Sequence, residues 1–182
     1  GMNKVLSKKV YASYGLKTPH HILISNEGDV EASIVEGFRR IPMPVVVKPV
    51  SAGSSVGVSI AANFHDFRDA VFKAFEYGDV ALIEEYIKGR EATCGVVENF
   101  RGEKVYSLLP IEIKNLSKGD IWDYNSKYSN DLHELICPGN FSRDEKETIQ
   151  KIAAQAHTAL GLAHYSRSDF IVADDGIYFL EV

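Results

Sequence analysis

What this sequence has little of narrows its chemistry. It holds 2 cysteines, Cys94 and Cys137, in 182 residues. They are too few and too far apart for a disulfide framework or a thiolate zinc site, and the expected role of both is small buried filler. There is no basic stripe, and the formal net charge of −5 argues against a nucleic-acid partner. No apolar run approaches the roughly 20 residues that cross a bilayer, and no secretory leader is read ahead of the first helical pattern. No membrane partner is therefore expected, and the expected compartment is the cytoplasm. The histidines, His20, His21, His65, His133, His157 and His164, show no metal-ligand spacing with carboxylates. Repeats and low-complexity tracts are absent.

What is present is an ordinary globular composition. At 45% hydrophobic and 25% charged residues, it suffices for one sizeable core or two small ones. Val5, Leu6, Val10 and Tyr14, ahead of Gly15, predict a helix over 3–14. Strands are expected at 20–25, 45–48 and 80–87, and helices at 29–40 and after an Asn63 cap, the latter ending near Gly78. EATCGVVEN and KVYSLLPIEI alternate well enough to pair as antiparallel strands. Residues 119–131 lack a period and read as a loop, and HELICP as a short strand. Ser142 with Glu145 forms a capping box ahead of a helix whose face is Ile149, Ile152, Ala153, Ala156 and Leu160. DFIVADDGIYFLEV closes the sequence as a hairpin. The pattern is α+β, with two subdomains, 1–87 and 88–182, meeting near residue 88. Ending inside a strand pattern, the chain is expected to be truncated.

The stretch VVVKPVSAGSSVGVS, 45–59, sends a lysine out of a β-branched strand into a loop of small residues. Glycines remove Cβ atoms, so backbone N–H groups can converge on an anion. Serines add donors, and a strand-end lysine adds a point charge. The segment reads either as a phosphate cradle or as a flexible hairpin loop with a solvated lysine. It is neither a P-loop, where lysine follows the glycines, nor a protein kinase, since H-R-D and D-F-G are missing. In IEEYIKGRE, Glu84 at a strand end and Glu91 after the turn could accept from a nucleotide's amino group or ribose, or could simply be solvated.

In the final hairpin, Asp169 and Glu181 are the acids within the strands. A two-residue Asp175-Gly176 turn would send them to opposite faces. A three-residue Asp174-Asp175-Gly176 loop with left-handed Gly176 would set them directly opposite one another, and that loop is the one expected. Opposed carboxylates repel unless a cation lies between them, and two hard oxygen ligands beside phosphates suit Mg²⁺. Arg167, two residues before Asp169, would share that face and neutralise a phosphoryl group or an oxyanion.

Asn3-Lys4 with Lys8, VVVKPVSAGSSVGVS, IEEYIKGREATCGV, IWDYNSKYSND, ICPG, SRSDF and YFLEV occur in family order in a chain that resembles the D-alanine–D-alanine ligases. These belong to the ATP-grasp superfamily of bacterial cell-wall synthesis. The resemblance implies an ATP-grasp fold, two α+β subdomains gripping nucleotide between antiparallel sheets, with the C-terminal part incomplete. It implies ATP and Mg²⁺ as cofactors and D-alanine as substrate. Lys4 and Lys48 would contact the phosphates, beneath a loop of Gly53, Ser54, Ser55 and Val56. Glu84, Glu85, Ile87 and Glu91 would lie along the adenine and ribose. Lys127 would touch the transferred phosphate, and Ser54 with Tyr128 would help to fix the first D-alanine. Asp169 and Glu181 would hold Mg²⁺, and Arg167 would steady the tetrahedral intermediate. Tyr128 favours a dipeptide over the ester made with D-lactate.

The sequence departs from the family pattern at Asn3, Ala52 and Glu85, where Asp, Glu and Lys are common. The resemblance also implies an N-terminal domain and a metal-binding asparagine beyond Glu181, so this core is expected to be inactive alone. Full-length relatives are expected to be homodimers. The competing readings are another ATP-grasp carboxylate–amine ligase, including a D-lactate type, and an ATP-binding module without chemistry.

Overall fold

The computed structural model describes residues 4–51, 56–115 and 133–182. The first part of the chain runs α1 (Lys4–Ser13), β1 (His21–Ser25), α2 (Val30–Arg40), β2 (Val45–Pro49), β3 (Ser59–Ala61), α3 (Phe64–Phe75) and β4 (Val80–Glu85). The second part runs β5 (Arg90–Phe100), β6 (Glu103–Ser107), β7 (Ile111–Asn115), β8 (His133–Ile136), α4 (Arg143–Ala159), β9 (Tyr165–Ala173) and β10 (Gly176–Glu181). No described helix is long and apolar enough to cross a membrane. The loop expected over 119–131 lies outside the described residues.

Two antiparallel sheets form. The first has strand order β1-β4-β2-β3, with β4 paired on both edges. Successive side chains of a strand point to opposite faces. Val45 and Val47 of β2, with Ala81 and Ile83 of β4, therefore enter one cluster beneath α2 and α3, alongside Ile34, Phe67 and Val71. Lys48, Leu82 and Glu84 fall on the other face. The helix ends follow the capping signals: Asn63 Oδ1 accepts from Asp66 N at 3.0 Å and opens α3.

The second sheet has order β10-β9-β5-β7-β8, with β6 also on β5. The run KVYSLLPIEI, expected as one strand, is two. β6 pairs with residues 96–100 of β5 and β7 with residues 91–93, both along the edge opposite β9. Leu108–Pro110 interrupts them, because proline has no N–H for the ladder. α4 lays Ile149, Ala153 and Ala156 over Ala92, Cys94, Val96, Phe170 and Phe179. Its capping box is complete: Ser142 Oγ accepts from Glu145 N at 3.2 Å and Glu145 Oε2 accepts from Ser142 N at 2.6 Å. Tyr11 and Leu16 belong to this second cluster, and the Tyr11 ring meets Phe179 edge-on at 4.6 Å. The chain thus builds its second core from both of its ends.

Two expectations need correction. Cys94 is buried, but Cys137 is exposed, because it lies past the end of an edge strand rather than inside the sheet. The final hairpin turns on Asp174-Asp175, pairing Ala173 with Gly176, not on the three-residue loop. Gly176, at φ 136°, is the first residue of β10 rather than a left-handed bulge residue.

Candidate functional site

The site begins at the β9–β10 hairpin. With a two-residue turn and regular pairing, Asp169 would face Leu180. Glu181 would then join Phe179 on the core side. A bulge between Phe179 and Glu181 inserts Leu180 as an extra residue, so that Glu181 pairs with Asp169. Bulges re-aim side chains in this way. The expected opposition of the two carboxylates therefore holds, by a different route.

Asp169 is held on both sides. Thr93, its cross-strand partner on β5, donates its hydroxyl to Asp169 Oδ1 at 2.7 Å. The exposed Arg167 guanidinium donates to Asp169 Oδ2 at 3.2 Å, as expected from their shared face. Among the described residues no group of three or more His, Cys, Asp or Glu could hold a metal, so Asp169 and Glu181 stand as a pair. That donor set fits Mg²⁺, which keeps several waters and takes one or two carboxylates together with substrate phosphates.

Beside this pair lies a solvent-open cleft lined by Lys4, Ser7, Lys8, Tyr11, Lys48, Leu82, Glu84, Leu180, Glu181 and Val182. It draws on both sheets and on α1. Strand alternation explains why a lysine leaves a β-branched strand: Val47 packs inward and Lys48 turns to the cleft. Glu84 is ion-paired through Oε1 to Lys8 Nζ and through Oε2 to Lys48 Nζ. Burial disfavours its ionised form, but Lys48 and Lys8 outweigh burial and hold its carboxyl below the usual range. Burial lowers Lys8 from the ordinary lysine value, with Glu84 opposing the shift. Lys4 is lowered by the same cause, opposed by Glu181, and its Nζ donates to Pro49 O at 3.4 Å.

Lys4, Lys48, Glu84 and Glu181 are thus brought to one cleft, with Asp169 and Arg167 adjoining through the β9–β10 ladder. Glu91 pairs with Ile113 and Ile171 on β5 and is not among the cleft-lining residues. Glu85 accepts from His20 N at 2.8 Å, so its carboxylate is occupied tying β4 to the chain ahead of β1. Ile87 and Val56 are half-buried in the connections that follow β4 and precede β3. Gly53, Ser54, Ser55, Lys127 and Tyr128 lie outside the described residues. Two glycines of these motifs have steric reasons. A Cβ on Gly57, at φ +70°, would sit 2.8 Å from Tyr77, and one on Gly89 would sit 2.5 Å from the Val172 carbonyl. Sequence reasoning missed Lys8 and Thr93 as members of the site. The spacing of Lys8 four residues after Lys4, one helical turn along, was the available signal.

The family model described as D-ala D-ala ligase C-terminus matches residues 10–182. A D-alanine–D-alanine ligase of Maridesulfovibrio salexigens is 38% identical over 100% of this chain and 56% of its own length. The corresponding ligase of Geobacillus kaustophilus is 36% identical over 100% of this chain and 49% of its own. The chain spans about half the length of these relatives. Among solved structures, the D-alanine–D-alanine ligase of Bacillus anthracis superposes with a TM-score of 0.79 at 30% identity, covering 99% of this chain and 55% of its own. The VanG D-Ala:D-Ser ligase of Enterococcus faecalis does so with a TM-score of 0.83 at 25% identity, covering 99% and 51%. The chain belongs to the D-alanine–D-alanine ligase C-terminal family and has its ATP-grasp fold.

Proposed function

We propose that this chain is the ATP-binding core of a ligase that joins two D-alanines for peptidoglycan precursor synthesis in the cytoplasm. The observation that carries this reading is the meeting of Lys4, Lys48 and Glu181 in one cleft, with Asp169 and Arg167 on the adjoining strand. The two subdomains, 1–87 and 88–182, would close on nucleotide there, with α1 reaching across. The whole enzyme would act as a homodimer.

The reaction transfers the γ-phosphoryl of ATP to the carboxylate of one D-alanine, giving an acyl phosphate and ADP. The amine of a second D-alanine then attacks the acyl carbon, the C–N bond forms, the nitrogen gives up a proton to water, and inorganic phosphate leaves with the C–O bond pair. No protein nucleophile is required. Catalysis is positioning and charge neutralisation. Lys4 and Lys48 hold phosphate oxygens, and Glu91 would lie by the ribose, while both carboxylate oxygens of Glu84 are paired with Lys8 and Lys48. Asp169 and Glu181 would hold Mg²⁺, which neutralises phosphate charge when bound. Arg167 faces the charge that develops on the acyl oxygen. Thr93 fixes one oxygen of Asp169, leaving the carboxylate oriented before ligand arrives. Ser54 with Tyr128 would help to fix the first D-alanine, and Lys127 would touch the transferred phosphate.

Thermal melting with Mg·ATP, using Mg·GTP as control, tests the nucleotide reading. A ligand at about 100 times its dissociation constant adds roughly 2.7 kcal/mol, a rise of several degrees. The rise is expected with ATP alone, and Asp169→Asn with Glu181→Gln should abolish its dependence on Mg²⁺. An equal rise with GTP, or none with ATP, would remove the proposal.

A further inference from the structure

Lys8 has no place in the reading above, yet it is the most deeply buried cation of the cleft. Its side chain and that of Glu84 are each 3% exposed, whereas Lys48 is 17% exposed. Lys8 is therefore too enclosed to serve as a ligand-binding charge, and Lys48 is open enough to be one. Glu84 stands between them and gives one carboxylate oxygen to each ammonium. Two ammoniums and one carboxylate leave a single positive charge. Without Lys8, Glu84 and Lys48 would form a neutral pair, and a phosphate would have to compete with an adjacent buried carboxylate for the same ammonium.

We infer that Lys8 is a positioning residue for anion binding: it neutralises Glu84, so that the Lys48 ammonium stays available to phosphate entering the cleft. This rests on the reading of the cleft as an ATP site. The effect belongs to phosphate and not to the base, because Lys8 acts through Lys48. In a low-dielectric cleft, unit charges at contact distance interact far more strongly than in water, so the balance of these three groups sets what Lys48 adds, beside Lys4, to the affinity for a polyanion.

The test is calorimetric titration of the 182-residue chain with Mg·ATP and with adenosine. Lys8→Met is expected to weaken ATP binding by about tenfold or more while changing adenosine affinity by less than about twofold. Lys8→Met combined with Glu84→Gln releases Lys48 again and should bring ATP affinity back to within about threefold of wild type. Equal losses for ATP and adenosine in Lys8→Met would mean a merely structural ion pair and overturn the inference, as would unchanged ATP affinity. Should Lys8→Met fail to fold, the double variant decides. It carries no uncompensated carboxylate, and ATP binding more than about tenfold below wild type with adenosine intact would overturn the inference. If the wild-type chain binds no ATP, the proposed function fails and the role of Lys8 falls with it. If wild type binds and Lys8→Met binds equally well, only the role of Lys8 is lost.

Discussion

Glu84 concentrates the electrostatics of this molecule in one side chain. It is buried and ionised, because two ammoniums repay what burial takes from it. Its folded-state pKa lies below its ordinary value of 4.5, so the unfolded chain binds the extra proton first as the pH falls. The stability contributed by this carboxylate is present above that ordinary value and is lost as the pH drops through the depressed folded one. Melting temperatures measured from pH 6 downward should therefore fall most steeply below about pH 4.5, and Glu84→Gln should flatten that limb. The cysteines supply a second residue-scale prediction. Burial pushes the Cys94 thiol up to about 12, while Cys137 is exposed. A maleimide at pH 7.5 should label Cys137 alone in the native protein and both thiols in urea. Labelling of Cys94 under native conditions would contradict its burial beneath α4. At this scale, Lys48 and Glu84 were legible as chemistry-bearing groups, because each ends a strand or enters a turn. Their mutual pairing through Lys8 was not, since the three lie on α1, β2 and β4.

Among the elements, the helices were the most legible, because caps are local. Asn63 and Ser142 each satisfy a donor three residues on, and nothing distant is needed to see them. Ser142→Ala should therefore cost about 1 kcal/mol in urea unfolding through loss of the capping box. Ile149→Ala, inside the same helix and fully buried against β5, should cost about 2–5 kcal/mol. If the two costs proved equal, the claim that packing rather than capping holds α4 would fail. The strands behaved differently. The hairpin of β9 and β10 was legible as a hairpin, and the opposition of Asp169 to Glu181 was expected, but through a wrong loop length. The turn settles on Asp174-Asp175, where Lys17 Nζ donates to Asp175 Oδ2 at 2.9 Å and Tyr178 donates to the same oxygen at 2.6 Å. Lys17 comes from the far end of the chain, so a window around the turn contains only the Tyr178 half of this contact.

For the molecule as a whole, the notable feature is the place of α1. It precedes the first sheet in sequence but packs Tyr11 into the core of the second, and it carries Lys4 and Lys8 into the cleft. Tyr11→Ala should lower stability by about 3 kcal/mol and weaken ATP binding without touching a phosphate ligand, because the helix that presents the lysines loses its anchor. Parallel unfolding and nucleotide-binding measurements would check this, and unaltered ATP affinity in a destabilised variant would show that α1 keeps its place by other means. Sequence alone determined the α+β class, nearly every helix and strand, and the charged residues Lys4, Lys48, Glu84 and Glu181 among those that line the cleft. Alternation, caps and glycine spacing are local signals, and a chain of motifs in family order carries the rest. The tertiary structure alone decided which face Glu181 takes, that Glu84 is shared between two lysines, that Glu85 is spent on a backbone amide, and that α1 crosses to the second core. Each of those outcomes depends on a bulge, a buried charge balance or a docking contact between residues distant in the chain, and only folding brings such groups within reach of one another.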